Sequence, residues 1–360
     1  MKYIIFFSFL VFSLSSYSQL TAIPDPNFEN YLEQNGMGDG VPNNGQVLTA
    51  NINTVTSLNV GAKQISDLTG IEGFIALEVL ACPFNSITIL NLSQNLALET
   101  LYCASNTLSS LVLPASPNLS IINCYDNFLT ELDLTQNPNL TEVYCDWNRL
   151  TELEITQNTN LSLLWCDYNF IEGVFDTSNN TLLTSLTTSH NEITAFDLSQ
   201  NVNLISFGTS FNPLQSMDVR NGNNQNIGTF VATETTGELN CILVDDATAT
   251  YLDDWLKDPG TTFVNNQAEC DALGLADTML QNFSLYPNPA SNVVILNLPN
   301  PVFNGLVATV TNNLGQILER KEQLENTAQI PLDVSGYAAG IYFVTLKTNS
   351  ATITKKLIVQ

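Results

Sequence analysis

Histidine is almost missing from this 360-residue chain: His190 is the single one. That scarcity removes most metal and general-base chemistry that depends on imidazole. Basic residues are few as well, with ten Lys and Arg against 35 Asp and Glu and a net charge of −25. Nucleic acid is thereby excluded as a partner, since phosphate binding needs clustered cations. Hydrophobic residues reach 44%, too many for a disordered chain despite the net charge. No segment holds eighteen consecutive apolar residues, so no transmembrane segment is expected in the mature chain. The composition implies no cofactor and no metal centre. What remains is a binding or structural protein, or an enzyme working with carboxylates alone.

The first eighteen residues read as a secretory signal peptide. Lys2 supplies the positive start, Tyr3–Leu14 a short apolar run, and Ser16-Tyr17-Ser18 a small-residue cleavage site before Gln19. A run of twelve residues, two of them serine, is too short to span a bilayer. Charge divides the rest. Between Gln19 and Asp277, 31 acidic residues face four bases (Lys63, Arg149, Arg220 and Lys257). From Thr278 onward the balance is four acids to five bases. A step of this kind marks a domain boundary.

Beyond that step, Phe283-Ser-Leu-Tyr-Pro-Asn-Pro289 forbids a helix. Alternating runs follow at Val293–Leu298, Leu306–Val310, Ile317–Arg320, Ile341–Leu346 and Thr352–Val359. Turn signals separate them at Asn304-Gly305, Asn313-Leu314-Gly315 and Ala339-Gly340. Short strands at this spacing predict a small antiparallel β-sandwich over 283–360. The motifs Tyr286-Pro287-Asn288-Pro289, Asn313-Leu-Gly315, Leu332-Asp-Val-Ser335, Gly340-Ile-Tyr342 and Lys355-Lys356-Leu-Ile-Val359 resemble the type A C-terminal sorting domain. Cargo of the type IX (Por) secretion system of Bacteroidetes carries that domain. The resemblance implies that Tyr286, Pro287, Asn288, Pro289, Gly340, Tyr342, Lys355 and Lys356 belong to the sorting signal. It also implies the secretion machinery as a partner, and a secreted or outer-surface location in a Gram-negative bacterium after export to the periplasm. Asp277-Thr278-Met279 resembles the O-glycosylation sequon of the same bacteria, on a short match.

The middle of the chain is a repeat. Cys82, Cys103, Cys124, Cys145 and Cys166 recur every 21 residues, each followed three residues later by Asn85, Asn106, Asn127, Asn148 or Asn169. The register continues with Thr188 and Thr209 in the Cys position and Asn191 and Asn212 in the Asn position, after one inserted residue between Leu161 and Leu183. The pattern L-x-x-L-x-C/L-x-x-N resembles the leucine-rich repeat over 55–240. Each coil has too few apolar groups for a core of its own, so coils bury them against one another. About eight rungs are expected, with Leu80, Leu101, Ile122, Val143 and Leu164 in one inward column and the cysteines in another. A half-period echo, Leu129-x-x-Leu132-x-Leu134-x-x-Asn137, predicts two short strands per rung and two parallel sheets. The fold class is therefore mainly β: a solenoid followed by a sandwich.

Solenoid ends need caps. The segment 19–54 is read as the N-terminal cap, with a short helix from Asp25-Pro26 to Gln34 before an Asn35-Gly36 stop. Ile65–Ile71 is expected to make a helical turn. The segment 241–270 is read as the C-terminal cap, with a strand over Leu239–Asp245 and a helix over Ala247–Leu256, and 271–282 as a linker. Five cysteines belong to the column, which leaves Cys241 and Cys270 to pair once the chain is exported.

Strand alternation places the residues around each cysteine on the exposed concave face. Tyr102, Tyr125, Tyr144, Trp147, Trp165 and Tyr168 thus stand beside Asp126, Asp146 and Asp167. A contiguous aromatic patch suits a protein or glycan ligand; strand propensity alone also favours aromatics on a pleated surface. Asp146 and Asp167 occupy the same position on successive rungs, about 4.8 Å apart at the backbone. That admits a carbohydrate-active enzyme with paired carboxylates or a calcium site. The open face lacks the desolvated pocket such an enzyme needs. A binding protein is the expected class, with a structural surface protein as the remaining alternative.

Overall fold

The computed structural model describes residues 19–273, 283–298, 306–322, 328–347 and 352–360. The signal peptide, residues 274–282 of the linker with the sequon, and the Asn304-Gly305 turn lie outside the described residues. Two compact units divide the chain, Met1–Glu192 with Gln200–Thr209 and Ile193–Ser199 with Ser210–Gln360.

In the first unit eight three-residue strands run parallel, one per coil, from Ser57–Asn59 through Thr100–Tyr102, Glu142–Tyr144 and Leu163–Trp165 to Ser206–Gly208. Their register puts Leu58, Leu80, Leu101, Ile122, Val143, Leu164, Leu186 and Phe207 side by side. All of them are buried, as are the five cysteines. The second unit adds Thr229–Ala232 and Leu256–Lys257, paired in parallel, which makes ten coils rather than eight.

The asparagine column works through its side chains. Asn127 Nδ2 donates to the carbonyls of Cys103 (3.1 Å) and Cys124 (3.0 Å), while its Oδ1 accepts from Leu108 N–H (3.0 Å). Asn106, Asn148 and Asn169 repeat the arrangement one coil apart. Each amide ties its own coil to a neighbouring one and satisfies backbone groups freed where the strand ends. A second column at the half-repeat, Asn95, Asn137, Asn158 and Asn180, uses its donors alone; its Oδ1 atoms are buried without a partner.

The second sheet is less regular than the half-period predicts. Ile89–Asn91 pairs with Ser110–Val112, but the coils around Leu132 and Leu153 hold no strand there. Glu131 and Asp133 stand one coil from Glu152 and Glu154. Like charges in directly opposed positions oppose pairing. The sheet resumes with the strand Glu172–Phe175; in the second unit Ala195–Asp197 lies beside Ser216–Asp218 and Cys241–Leu243 beside Thr262–Val264.

Both ends carry caps. The helix Pro26–Gln34 starts where Asp25 accepts from Asn27 N–H (2.9 Å) and Phe28 N–H (3.0 Å), with proline in its first turn. Its Phe28 stacks on Phe74. A strand pair, Leu20–Ala22 with Gln46–Leu48, completes this end. The turn expected at Ile65–Ile71 lies at Ile71–Gly73. At the other end the helix expected over Ala247–Leu256 is a 3-10 turn at Thr250–Asp254, after which Leu256–Lys257 and Thr262–Val264 add another coil. Trp255 anchors it, stacked on Phe230 at 4.2 Å and donating to Ile227 O. A helix over 267–273 follows, and the Cys241–Cys270 disulfide holds it to this coil.

The C-terminal sandwich packs a three-stranded antiparallel sheet (Ser284–Tyr286, Val293–Asn297, Gln329–Asp333) and a four-stranded one (Ile317–Lys321, Val307–Asn312, Gly340–Lys347, Thr352–Val359) around one core. The strands at Ser284–Tyr286 and Gln329–Asp333 go beyond the sequence expectation; Pro331 breaks the alternation that would have announced the second. Asn288 joins the two ends of this domain: its Nδ2 donates to Lys356 O and its Oδ1 accepts from Ile358 N–H, both at 2.9 Å. Lys355 turns inward, donating to Phe283 O and lying over the Phe283 ring, while Lys356 is exposed. Tyr342 is buried and donates to Ala338 O, Gly340 opens its strand, and Tyr286 stands in solvent beside Pro287 and Pro289.

Candidate binding face

The face of the long sheet that points away from the core collects the aromatic side chains. Tyr102, Tyr125, Trp147, Trp165 and Tyr168 are exposed, Trp147 by 51%. Asp126 is exposed as well, and Tyr144 is half-buried. Local backbone geometry aims part of this set. The residue before each column asparagine adopts a left-handed conformation, with φ of 56° at Asp126, 54° at Trp147 and 54° at Tyr168. For residues other than glycine this costs about 1–2 kcal/mol each. Coil-to-coil hydrogen bonds hold the conformation, Trp147 N–H donating to Asp167 O at 2.9 Å and Tyr168 N–H to Ser189 O at 2.8 Å. The result is a stack along the solenoid: Trp147 on Tyr168 at 4.1 Å, and Tyr168 on His190 at 4.0 Å. Alternation alone gave no sign of that turn.

Beside the stack, Trp165 meets Tyr144 edge-on at 5.2 Å. Two polar partners, absent from the sequence expectation, fix these rings. Tyr144 Oη donates to Glu142 Oε2 (2.9 Å) and Trp165 Nε1 to Ser185 Oγ (3.2 Å). Each partner is the other outward residue of its own or the next strand, so period-two alternation contained the signal. Burial, with the Glu142 hydrogen bond behind it, pushes the Tyr144 phenol up to about 12.

Tyr125, Tyr144, Trp147, Trp165 and Tyr168 wall a hollow of about 440 Å³, in which Asp146 and Asp167 lie deeper. Asp146 lines the hollow with the rest of the expected set but is only 8% accessible, less exposed than alternation predicts. Its Oδ1 accepts from Asp167 N–H (2.9 Å), and Asp167 Oδ1 accepts from Ser189 N–H. The backbone of the next coil has drawn the carboxylate in. Burial pushes the Asp146 carboxyl up to about 6, with the Asp167 charge acting in the same direction, and burial raises Asp167 too. Behind them burial lifts the Cys82 and Cys124 thiols to about 12 and those of Cys103, Cys145 and Cys166 well above the ordinary range. No group of three or more metal-ligating side chains suited to an ion occurs among the described residues.

Residues 284–360 match the family model described as the Secretion system C-terminal sorting domain. No curated protein matches the chain. Among solved structures it is similar to the functional domain of InlJ from Listeria monocytogenes, whose description includes a cysteine ladder: 20% identity, covering 95% of this chain and 99% of that one, TM-score 0.37. It is also similar to the internalin inlF from Listeria monocytogenes (18% identity, 70% and 79% coverage, TM-score 0.47). YopM from Yersinia enterocolitica is a third (23% identity, 57% and 42% coverage, TM-score 0.45). The chain thus folds as a leucine-rich-repeat solenoid of parallel coils, five of them carrying the cysteine column, and ends in a region that matches the secretion system C-terminal sorting domain.

Proposed function

We propose that this protein binds a protein partner through the aromatic hollow of its long sheet, after export by the type IX system that reads the C-terminal domain. The exposure of Trp147 and Trp165 carries the reading. Trp255 is buried where it caps a coil, while these two stand in solvent around a shared hollow. Large rigid rings with polar tips supply contact area at little entropic cost. A protein surface fits better than a glycan, because Tyr168 has a ring against each face and so offers its edge rather than the open face a sugar would stack on. A retaining hydrolase would need two accessible carboxylates, and Asp146 is buried with one oxygen committed to the Asp167 backbone.

Arrays of host and bacterial proteins and of glycans, probed with the full chain, test the reading. For a partner found there, Trp147→Ala with Trp165→Ala is expected to weaken affinity more than tenfold, at least ~1.4 kcal/mol, with an unchanged unfolding midpoint. Unaltered affinity would remove the hollow from the interface. A response confined to glycans would replace the protein partner with a carbohydrate.

A further inference from the structure

The hollow has a chemical character beyond its aromatic walls. Two carboxylates lie inside it and no Lys or Arg lines it. Asp146 is more than nine-tenths buried, and only one of its oxygens accepts a hydrogen bond from the chain. A charge held out of water in this way is costly unless a counter-charge reaches it. His190, stacked on Tyr168, acts on Asp167, but none of the four Lys and Arg of the coil array is placed to reach Asp146. Lys63 lies over Tyr31, Arg149 over Phe128, Lys257 over Phe263, and Arg220 is paired with Asp218.

We propose that the hollow is a seat for a cationic side chain, arginine or lysine, presented by the protein partner. This rests on the binding reading above and names what that partner must insert. Both faces of Tyr168 are covered, so the attraction of a cation to electron-rich ring faces falls to the other rings of the wall, and the carboxylates below give it a charged hydrogen-bond acceptor. The excess of 31 acids over four bases between Gln19 and Asp277 draws positive charge toward the solenoid from a distance. An apolar anchor would instead cover Asp146 with no counter-charge beside it. A guanidinium or ammonium group is the anchor that satisfies walls and floor together.

Tryptophan fluorescence of the full chain, titrated at low salt with N-acetyl-argininamide, N-acetyl-lysinamide and the uncharged isostere N-acetyl-citrullinamide, tests this. The charged probes are expected to give a saturable change at least tenfold tighter than citrullinamide. That preference should collapse in Asp167→Asn and in Asp146→Asn, both of which keep side-chain volume, and weaken as sodium chloride is added. Equal responses to arginine and citrulline, or a preference that survives both Asn variants, would overturn the proposal. A response to tetramethylammonium equal to that of argininamide would also overturn it, assigning the seat to small free cations. The binding reading fails separately. If a partner's affinity drops in the Trp147→Ala, Trp165→Ala variant yet is unmoved by the two Asn substitutions, the interface stands and the cationic anchor falls.

Discussion

Asn127→Ala is expected to destabilise the solenoid by about 4 kcal/mol, measured by urea unfolding. The substitution leaves Leu108 N–H without its acceptor and takes one of two asparagine donors from each of the Cys103 and Cys124 carbonyls, which keep Asn106 and Asn148, all in the buried interior. Orphaning the buried N–H costs about 1–3 kcal/mol, and each of the two lost carbonyl bonds adds about 0.5–1.5 kcal/mol. Because a coil is held only by its neighbours, the defect should also broaden the transition, as the coils on either side come to unfold apart. Asn127→Asp gives a second test. It keeps the acceptor for Leu108 but turns a carboxylate toward two carbonyls, so its loss should be at least as large at pH 7 and partly relieved near pH 4, when a protonated carboxyl can donate. Asn137→Ala should cost less, since Asn137 accepts nothing and its removal strands no N–H. Equal costs at Asn127 and Asn137 would refute this account of the two columns.

Asp146→Asn is expected to do the opposite and stabilise the protein by about 2–3 kcal/mol at pH 7.5. The folded carboxyl is raised from 3.8 to about 6, mainly by burial. The folded state therefore holds the proton more tightly than the unfolded chain. Its penalty is absent below the unfolded value, grows as pH rises from about 4 to 6, and is complete above that. The variant lacks this slope while its amide oxygen still accepts from Asp167 N–H, so its advantage should vanish by pH 4. Parallel stability profiles for the two proteins would show that the charge costs nothing. A stabilising substitution at the floor of the hollow is what a site that gives up stability for recognition produces, and a bound cation should erase the gain.

The columns were legible because they are periodic. A 21-residue recurrence of Leu, Cys and Asn states both the pitch and which side chains face inward, and the sandwich strands announced themselves through alternation and turn residues. What escaped was set by the path of the backbone rather than by composition. The left-handed residue before each asparagine carries no fixed side chain, being Ser105 in one coil and Trp147 in another, so no residue type marks it. Asp146 sinks because the next coil's N–H reaches it, a contact that no spacing within its own coil displays. The strands missing around Leu132 and Leu153 have Thr-Glu-Leu sequences as regular as their neighbours; only charges one coil away oppose pairing there. The last coil drops the Leu, Cys and Asn spacing, and Trp255 stacked on Phe230 closes it instead.

The cysteine column has a consequence for how such an array changes length. Its five thiols are buried and held protonated, while Cys241 and Cys270 sit outside it and are bonded to each other. Gaining or losing one whole 21-residue unit by duplication or deletion would add or remove a single inert sulfur and leave the bridged pair where it is. The size of the array is thereby uncoupled from the bridged pair, because each added cysteine is enclosed by its neighbours as the existing five are.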